Sequence, residues 1–148
     1  MQKGIDYIGV GTGAIIFNDR GQVFIAQRGP KARNEAGKWD FPGGSVEHGE
    51  KCVDAIMREI REEFDMEIEI LELLEVIDHI LPEEKQHWVS PTFIARHKFG
   101  EPKIMEPEKC TGIKWIELCE VENYQLTLPS ATDIKIYRNK FGHQPPNC

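Results

Sequence analysis

The sequence lacks the features by which membrane and secreted proteins are recognised. Its longest nearly apolar stretch, residues 7–17, is too short to cross a bilayer and is interrupted by glycines and a threonine. The N-terminus has no signal-peptide pattern, and the four cysteines include no CxxC pair. We therefore expect a cytoplasmic protein with reduced thiols, no disulfide and no membrane partner.

Positive charge is also scarce. The chain has 25 acidic and 18 basic residues, which gives a formal net charge of -7 at pH 7. This is the wrong sign for a protein whose main partner is duplex nucleic acid or an anionic membrane surface. The five histidines show no HxxxH or HExxH spacing, so a zinc site is not expected. Small charged ligands remain open, because a local site can oppose the global charge.

What the sequence does contain is typical of one globular domain spanning residues 1–148. With 40% hydrophobic and 29% charged residues, a chain of this length can form a core without metal or disulfide staples. Apolar and β-branched runs bounded by turn residues predict strands, and a polar stretch rich in glycine and proline, residues 28–44, predicts a loop. The predicted strands are 5–17, 22–27, 67–81, 87–99 and 111–118.

Two helices are predicted from apolar residues that recur at helical spacing. One runs from about Glu50 to Phe64, and the other runs from Ser130 to Phe141 with Ser130 or Thr132 as its N-cap. Strands and helices in this order predict an α/β fold, with a mixed sheet and two helices.

Three carboxylates share one face of the first predicted helix. On a helical wheel the apolar residues occupy one side, while Glu59, Glu62 and Glu63 fall together on the other. Like charges at i and i+4, here Glu59 and Glu63, disfavour a helix by roughly 0.2–0.5 kcal/mol. A hard cation such as Mg²⁺, which takes carboxylate, water and phosphate oxygens, suits this cluster. The alternative is a solvated acidic face with an ordinary Arg58–Glu62 ion pair, and the cluster by itself favours that alternative.

The spacing within residues 44–66, GSVEHGEKCVDAIMREIREEFDM, is more specific. It runs Gly, five residues, Glu, seven residues, Arg-Glu, an aliphatic residue, any residue and Glu-Glu, and it closes with Met66. This pattern resembles the signature of the Nudix hydrolases, and the lead-in over residues 39–44 is similar to theirs. The single departure is Asp65, where the family has glycine. Asp tolerates the left-handed conformation common just past a helix, so the departure weakens a helix stop rather than removing a ligand.

The resemblance implies an α/β/α sandwich that hydrolyses a nucleoside diphosphate linked to another group. It also implies Mg²⁺ or Mn²⁺ as the cofactor, and Glu50 and Arg58 would orient the acids that hold it. Metals suit this chemistry because water must attack a phosphorus already surrounded by negative oxygens. Catalytic roles fall to Glu59, Glu62 and Arg58. The implied metal ligands are Glu59, Glu62, Glu63 and a backbone carbonyl of Gly43 or Gly44.

A second stretch, residues 100–117, looks like that of MutT-type Nudix enzymes, in which a Gly-Glu-Pro turn precedes a further carboxylate on a loop. Glu106 is the candidate for that fourth acid and for the general base that takes the proton of the attacking water. A plain solvated glutamate explains Glu106 equally well, and Glu59 is the competing candidate for the base.

Substrate contacts are predicted in and after the loop that precedes the signature. Arg28, Lys31 and Arg33 are close enough in the chain to face bound phosphates, which an arginine grips with two hydrogen bonds. Gly44 would also contact the substrate. Loop solubility for the cations and core packing for the aromatic residues are the competing interpretations. The aromatic candidates for stacking on a base are Trp39, Phe41, Trp88 and Phe93.

Together these features predict a Nudix pyrophosphohydrolase whose partner is a small nucleotide, most simply a nucleoside triphosphate cleaved to monophosphate and pyrophosphate. An ADP-ribose or nucleotide-sugar pyrophosphatase is the main enzymatic alternative. Such a site is often completed by a second subunit, so a homodimer stays open. The alternative of another class is a non-catalytic Nudix-like module that senses a nucleotide. The intact set of three glutamates argues against it, because a sensing module would be expected to lose them.

Overall fold

The computed structural model describes residues 1–142, and over these it contains seven strands, two α-helices and one 3-10 helix. The strands are β1 (Gly9–Phe17), β2 (Val23–Arg28), β3 (Trp39–Asp40), β4 (Gly43–Ser45), β5 (Glu67–Leu81), β6 (Gln86–Phe99) and β7 (Cys110–Ile116). The helices are α1 (Cys52–Phe64) and α2 (Leu128–Phe141), and the 3-10 helix is Leu118–Asn123. Apart from the start of the first strand, the predicted strands and helices are confirmed to within two residues at each end.

Buried side chains of the central strands alternate between two hydrophobic clusters. Ala14 and Ile16 of β1 belong to the cluster that includes α1, whereas Ile15 belongs to the cluster that includes α2. Strand β2 shows the same alternation. Since successive side chains of a strand point to opposite faces of the sheet, one helix covers each face. The predicted α/β fold with a mixed sheet, arranged as an α/β/α sandwich, is confirmed.

The sheet is mixed because β1 runs parallel to β6, while the other strand pairs are antiparallel. β1 and β2 are joined by a turn and pair with each other only next to it, at Phe17 and Val23. Beyond that point β4 pairs with β1 and β3 pairs with β2. A side chain at Gly43 would place its Cβ 2.5 Å from the Thr12 carbonyl oxygen, so only glycine allows this close approach. The glycine segment is thereby fixed beside β1.

Helix α1 ends as its sequence predicts. Asp65 adopts the left-handed conformation, with φ 54° and ψ 41°, and its backbone N–H donates to the carbonyl oxygen of Arg61. Asp is among the few residues other than glycine that take this conformation at modest cost. The departure from the family pattern at this position therefore leaves the helix end intact.

Three local predictions are corrected by the structure. The loop predicted over residues 28–44 contains β3 and part of β4, because pairing with distant strands, rather than local composition, creates these short strands. The first strand begins at Gly9 instead of residue 5. Helix α2 begins at Leu128 with Thr127 as its N-cap, and the Thr127 hydroxyl accepts from the backbone N–H of Ser130 at 3.4 Å. Ser130 and Thr132 lie inside the helix, because Pro129 is tolerated in its first turn.

The cysteines follow the prediction only in part. Cys52 and Cys110 are free thiols, as expected, whereas Cys119 is disulfide-bonded, which corrects the expectation of no disulfide. Cys148 lies outside the described residues. None of the helices in residues 1–142 has the length and apolar character needed to cross a membrane.

Candidate active site

A cleft of about 520 Å³ opens on the face of the sheet that carries α2. Its floor includes Gly11 and Gly13 of β1, and Trp88, Ser90 and Thr92 of β6. The β2–β3 loop and the β6–β7 loop form its rim, and Glu63 of α1 also lines it. Gly43 lies opposite Gly13, and Gly13 lies opposite Thr92, so the glycine segment and Thr92 are at the same level of the sheet.

Glu59 and Glu63, one helical turn apart on α1, form the acidic centre of this region. Burial, together with a hydrogen bond to Glu59 and the negative charge of Glu59, raises the pKa of Glu63 to about 9. Two carboxyl groups this close do not both ionise at neutral pH unless a positive charge compensates them. The backbone of Gly44 lies directly against Glu59, since a Cβ on Gly44 would be 2.3 Å from the Glu59 carboxyl carbon.

Arg58 holds the other side of the acidic set. Its Nε and Nη2 donate to the two carboxylate oxygens of Glu50 at 2.7 and 3.0 Å, and Nη2 also donates to the Ser45 carbonyl oxygen at 3.1 Å. Its Nη1 donates to Glu59 at 3.1 Å and to Glu62 at 3.2 Å. The bond from Arg58 lowers the pKa of Glu50. One planar guanidinium therefore links α1 to the β4 segment and holds the Glu59 carboxylate in a fixed position.

The donor set fits a divalent cation in its chemistry. Glu59 and Glu63 provide neighbouring carboxylate oxygens, the Gly44 backbone packs directly against Glu59, and hard cations prefer oxygen ligands. Glu62 is turned outward, with its side chain 56% exposed and bonded to Arg58. Within residues 1–142 no group of three or more His, Cys, Asp or Glu side chains is arranged to hold a metal ion.

Glu106 comes to the acidic centre from the β6–β7 loop. It lines the cleft, and its charge contributes to the raised pKa of Glu63. Its Oε2 lies 3.2 Å from Nζ of Lys109, which also lines the cleft. The tertiary structure thus brings together the α1 carboxylates and a fourth acid that is more than 40 residues away in the chain.

The residues predicted to contact substrate are in three different situations. Arg28 lines the cleft but is already engaged, donating to Asp40 at 3.1 Å and to the Asn34 carbonyl oxygen at 2.7 Å. Arg33 lies over the ring of Trp88, with its guanidinium carbon 5.8 Å from the ring centroid. Trp39 is not among the cleft-lining residues of the described chain. Its ring packs edge-on against Tyr124, with the centroids 5.4 Å apart.

Two acids in the cleft, Asp133, which is buried, and Asp40, which is partly buried, carry no signal in the sequence. Asp133 of α2 is 6% exposed, and burial raises its pKa to about 7. Its nearest polar neighbours are the Thr92 hydroxyl, which donates at 3.5 Å, and His79 Nε2 at 3.9 Å. Burial also raises the pKa of Asp40 to about 6, although Arg28 opposes the shift. Each is a single Asp in an otherwise ordinary segment, so only the fold reveals that they share a cleft.

Comparison with known proteins identifies the family to which the chain belongs. The sequence model of the NUDIX domain matches residues 8–139, and the chain therefore belongs to the Nudix family. A CTP pyrophosphohydrolase of Escherichia coli (strain K12) is 44% identical over 116 residues, which cover 76% of this chain and 78% of that protein. The crystal structure of a MutT NUDIX hydrolase from Burkholderia pseudomallei superposes with a TM-score of 0.75 at 35% identity, covering 86% of this chain and 95% of that one.

A longer relative shows how far the similarity extends. The 8-oxo-dGDP phosphatase NUDT18 of Danio rerio is 32% identical over 104 residues, which are 70% of this chain but only 29% of that protein. The chain therefore spans less than a third of that relative. Nudix family members act on small nucleotide substrates and generally use divalent metal ions. The resemblance in the sequence is confirmed at the level of the family.

Proposed function

We propose that this chain is a Mg²⁺-dependent pyrophosphohydrolase that cleaves a nucleoside triphosphate to the monophosphate and pyrophosphate. The observation that carries the proposal is the Glu59–Glu63 pair, placed against the Gly44 backbone at a cleft of about 520 Å³. Such a cleft is large enough for a small-molecule ligand. The buried carboxyl pair suits a cation that arrives with the substrate.

The residues that would hold Mg²⁺, or Mn²⁺ in its place, are Glu59, Glu63 and the carbonyl of Gly43, with Glu62 available from the same helix. When bound, the cation screens the phosphate charges and lowers the pKa of the attacking water. Arg58 keeps the Glu59 carboxylate in position through the bond at 3.1 Å. Glu50 in turn fixes Arg58 through two parallel bonds, so these two residues act by positioning.

Glu106 is the better placed general base. Glu59 is bonded to both Arg58 and Glu63, whereas the recorded side-chain partner of Glu106 is Lys109 at its Oε2 atom. We infer that the Glu106 carboxylate accepts the proton of the attacking water. Lys31, which also lines the cleft, is the cation that we assign to the phosphates, because Arg28 is paired with Asp40 and Lys109 with Glu106.

The triphosphate substrate is favoured over ADP-ribose by the relatives. The CTP pyrophosphohydrolase resembles this chain over three quarters of both proteins, and its name specifies a nucleoside triphosphate. Base identity is a separate question, which the experiment below addresses directly.

The test is a substrate panel of the four common nucleoside triphosphates, 8-oxo-dGTP and ADP-ribose, each with Mg²⁺, Mn²⁺ or EDTA. Chromatography of the products should show monophosphate and pyrophosphate from a triphosphate, and no product in EDTA. Glu59→Gln should abolish turnover, whereas the matched control Glu69→Gln, an exposed acid on β5 paired with Arg96, should not. Nucleotide binding without turnover would favour the sensing module, and faster cleavage of ADP-ribose would overturn the triphosphate assignment.

A second comparison assigns the base. Glu106→Gln should lower kcat while leaving the heat of Mg²⁺ binding in calorimetry unchanged. Glu59→Gln should reduce both. If Glu106→Gln turns over at the native rate, Glu59 becomes the candidate for the base and Glu106 an ordinary rim residue.

A further inference from the structure

Trp88 is held rigidly in the cleft by its surroundings. The backbones of Gly4 and Gly9 lie against its indole, because a Cβ on either glycine would come within 2.5 Å of ring atoms. The indole N–H donates to the Gln86 side-chain oxygen at 2.9 Å. Gln86 is itself buried, at 6% exposure. The ring therefore has a fixed orientation in the wall of the cleft.

The β2–β3 loop covers this ring. Arg33 places its planar guanidinium 5.8 Å from the ring centroid. The next residue, Asn34, exchanges hydrogen bonds with Gln86, which donates to it at 3.0 Å and accepts from it at 3.4 Å. The same glutamine thus orients the indole and fastens the loop above it. A guanidinium stacks on an aromatic face much as a nucleobase does, so this position suits a second planar group.

Trp88 is also well separated from the acidic centre. The glycine segment beside Glu59 is level with Thr92 on β6, through the pairs Gly43 with Gly13 and Gly13 with Thr92. Trp88 precedes Thr92 by four residues, which is about 13 Å along a strand. A ligand whose phosphates lie at the carboxylates would reach Trp88 if its other end followed β6.

Building on the proposed function, we propose that Trp88 is the residue on which the nucleobase stacks, and that the base takes the place over the indole now held by Arg33. Trp88 then sets nucleotide affinity without taking part in phosphoryl chemistry. Because every base offers a π-face, stacking alone makes this site tolerant of base identity.

The experiment measures steady-state kinetics with CTP and GTP, and uses tripolyphosphate, which has no base, as a competitive inhibitor. Trp88→Ala should raise KM for both nucleotides about 10- to 100-fold. It should leave kcat within about twofold and the Ki of tripolyphosphate unchanged, because only base binding is lost. Trp88→Phe should restore most of the affinity. An unchanged KM, or an equal weakening of tripolyphosphate, would overturn the proposal.

A binding measurement in EDTA covers the case in which Trp88→Ala does not fold. CTP should quench the tryptophan emission of the native protein and of the control Trp115→Phe, but not that of Trp88→Phe. Arg33→Ala should bind CTP at least as tightly as the native protein, since a competing cation has left the ring. Weaker binding by Arg33→Ala, or equal quenching in Trp88→Phe, would contradict the proposal.

The two proposals fail in different ways. Turnover of CTP by the native protein with an unchanged KM in Trp88→Ala would leave the pyrophosphohydrolase standing and remove the stacking site. Quenching that depends on Trp88, in a protein that turns over no nucleotide with Mg²⁺, would do the reverse.

Discussion

Acids on the outer side of the β4 segment, around Arg58, and acids on its cleft side differ in how far the protein's own positive charges compensate them. On the outer side, Arg58 donates two hydrogen bonds to Glu50 and lowers the pKa of that carboxyl group. Here an arginine of the chain itself neutralises the acid, and the pair links α1 to the β4 segment. On the cleft side, burial raises the pKa of Glu63 to about 9 and that of Asp133 to about 7. In the cleft Arg28 and Lys109 pair with Asp40 and Glu106, but Glu63 and Asp133 keep strongly raised pKa values, which is a pattern common at functional sites.

The largest effect should come from removing charge on the cleft side. Glu63→Gln should lower kcat/KM by about 10³-fold, because a metal carboxylate is lost while the side-chain shape is kept. Thermal stability should be unchanged or higher, since crowding with Glu59 is relieved. Kinetics with saturating Mg²⁺ and a melting curve measure the two effects. A rate within tenfold of the native value would show that the cleft carboxylates do not serve the reaction.

The next largest effect on the cleft side is a pH-dependent change in stability at Asp133. Its buried carboxyl group faces His79 of β5, and the negative charge of Asp40 helps to raise its pKa. Its pKa rises from 3.8 in the unfolded chain to about 7 in the fold. Because the fold binds this proton more tightly than the unfolded chain does, the contribution of Asp133 to stability is fully present below about pH 4. It is lost progressively as the pH rises through about 7. Asp133→Asn should gain stability over the native protein by up to about 4 kcal/mol between pH 4 and pH 8.

Urea unfolding at the two pH values measures this gain. His79 titrates in the same range, and burial lowers its pKa, so the variant must be compared with the native protein at each pH. An offset between the two proteins that is the same at pH 4 and pH 8 would mean that Asp133 is ionised in the fold. The difference in charge compensation between the two sides of β4 would then be smaller than the burial of Asp133 indicates.

A substitution on the outer side should have a smaller effect on catalysis, because Arg58 acts only by holding the Glu59 carboxylate in position. Arg58→Lys keeps the charge but loses the planar fork to Glu50, so kcat should fall about 10- to 100-fold. The apparent affinity for Mg²⁺ should fall with it, because Glu59 is no longer held. Arg61→Lys is the matched control, an exposed arginine of the same helix that pairs with the partly buried Glu67. Equal losses in both variants would point to helix stability rather than to positioning.

Asp65 provides the smallest effect and separates backbone from charge. It is an exposed acid 3.5 Å from Lys103, so its ion pair contributes little. Asp65→Gly should stabilise the fold by about 0.5 kcal/mol and Asp65→Ala should destabilise it by about 1 kcal/mol, because alanine pays more for the left-handed conformation. Unfolding in urea at low and high salt tests this. Equal stability of the two variants, with a change from the native protein that vanishes in high salt, would mean that charge, not conformation, governs the position.

Much of the local structure was predictable because it depends on neighbours in the chain. The helix that carries Glu59 and Glu63 follows from apolar spacing, and its end at Asp65 follows from the conformational tolerance of Asp. The hairpin of β5 and β6 follows from alternation around a turn. The two-residue strand β3 did not follow, since it exists only through its pairing with β2.

The sequence by itself predicted the family, which is confirmed, and it placed Glu50, Arg58 and the three α1 glutamates close enough along one segment to share a surface. Only the tertiary structure decided that Glu106, Asp133 and Trp88 line one cleft with Glu63, and that Arg28 and Trp39 are otherwise engaged. Those contacts join residues tens of positions apart, and burial in the assembled fold, not residue type, sets their pKa values and exposure.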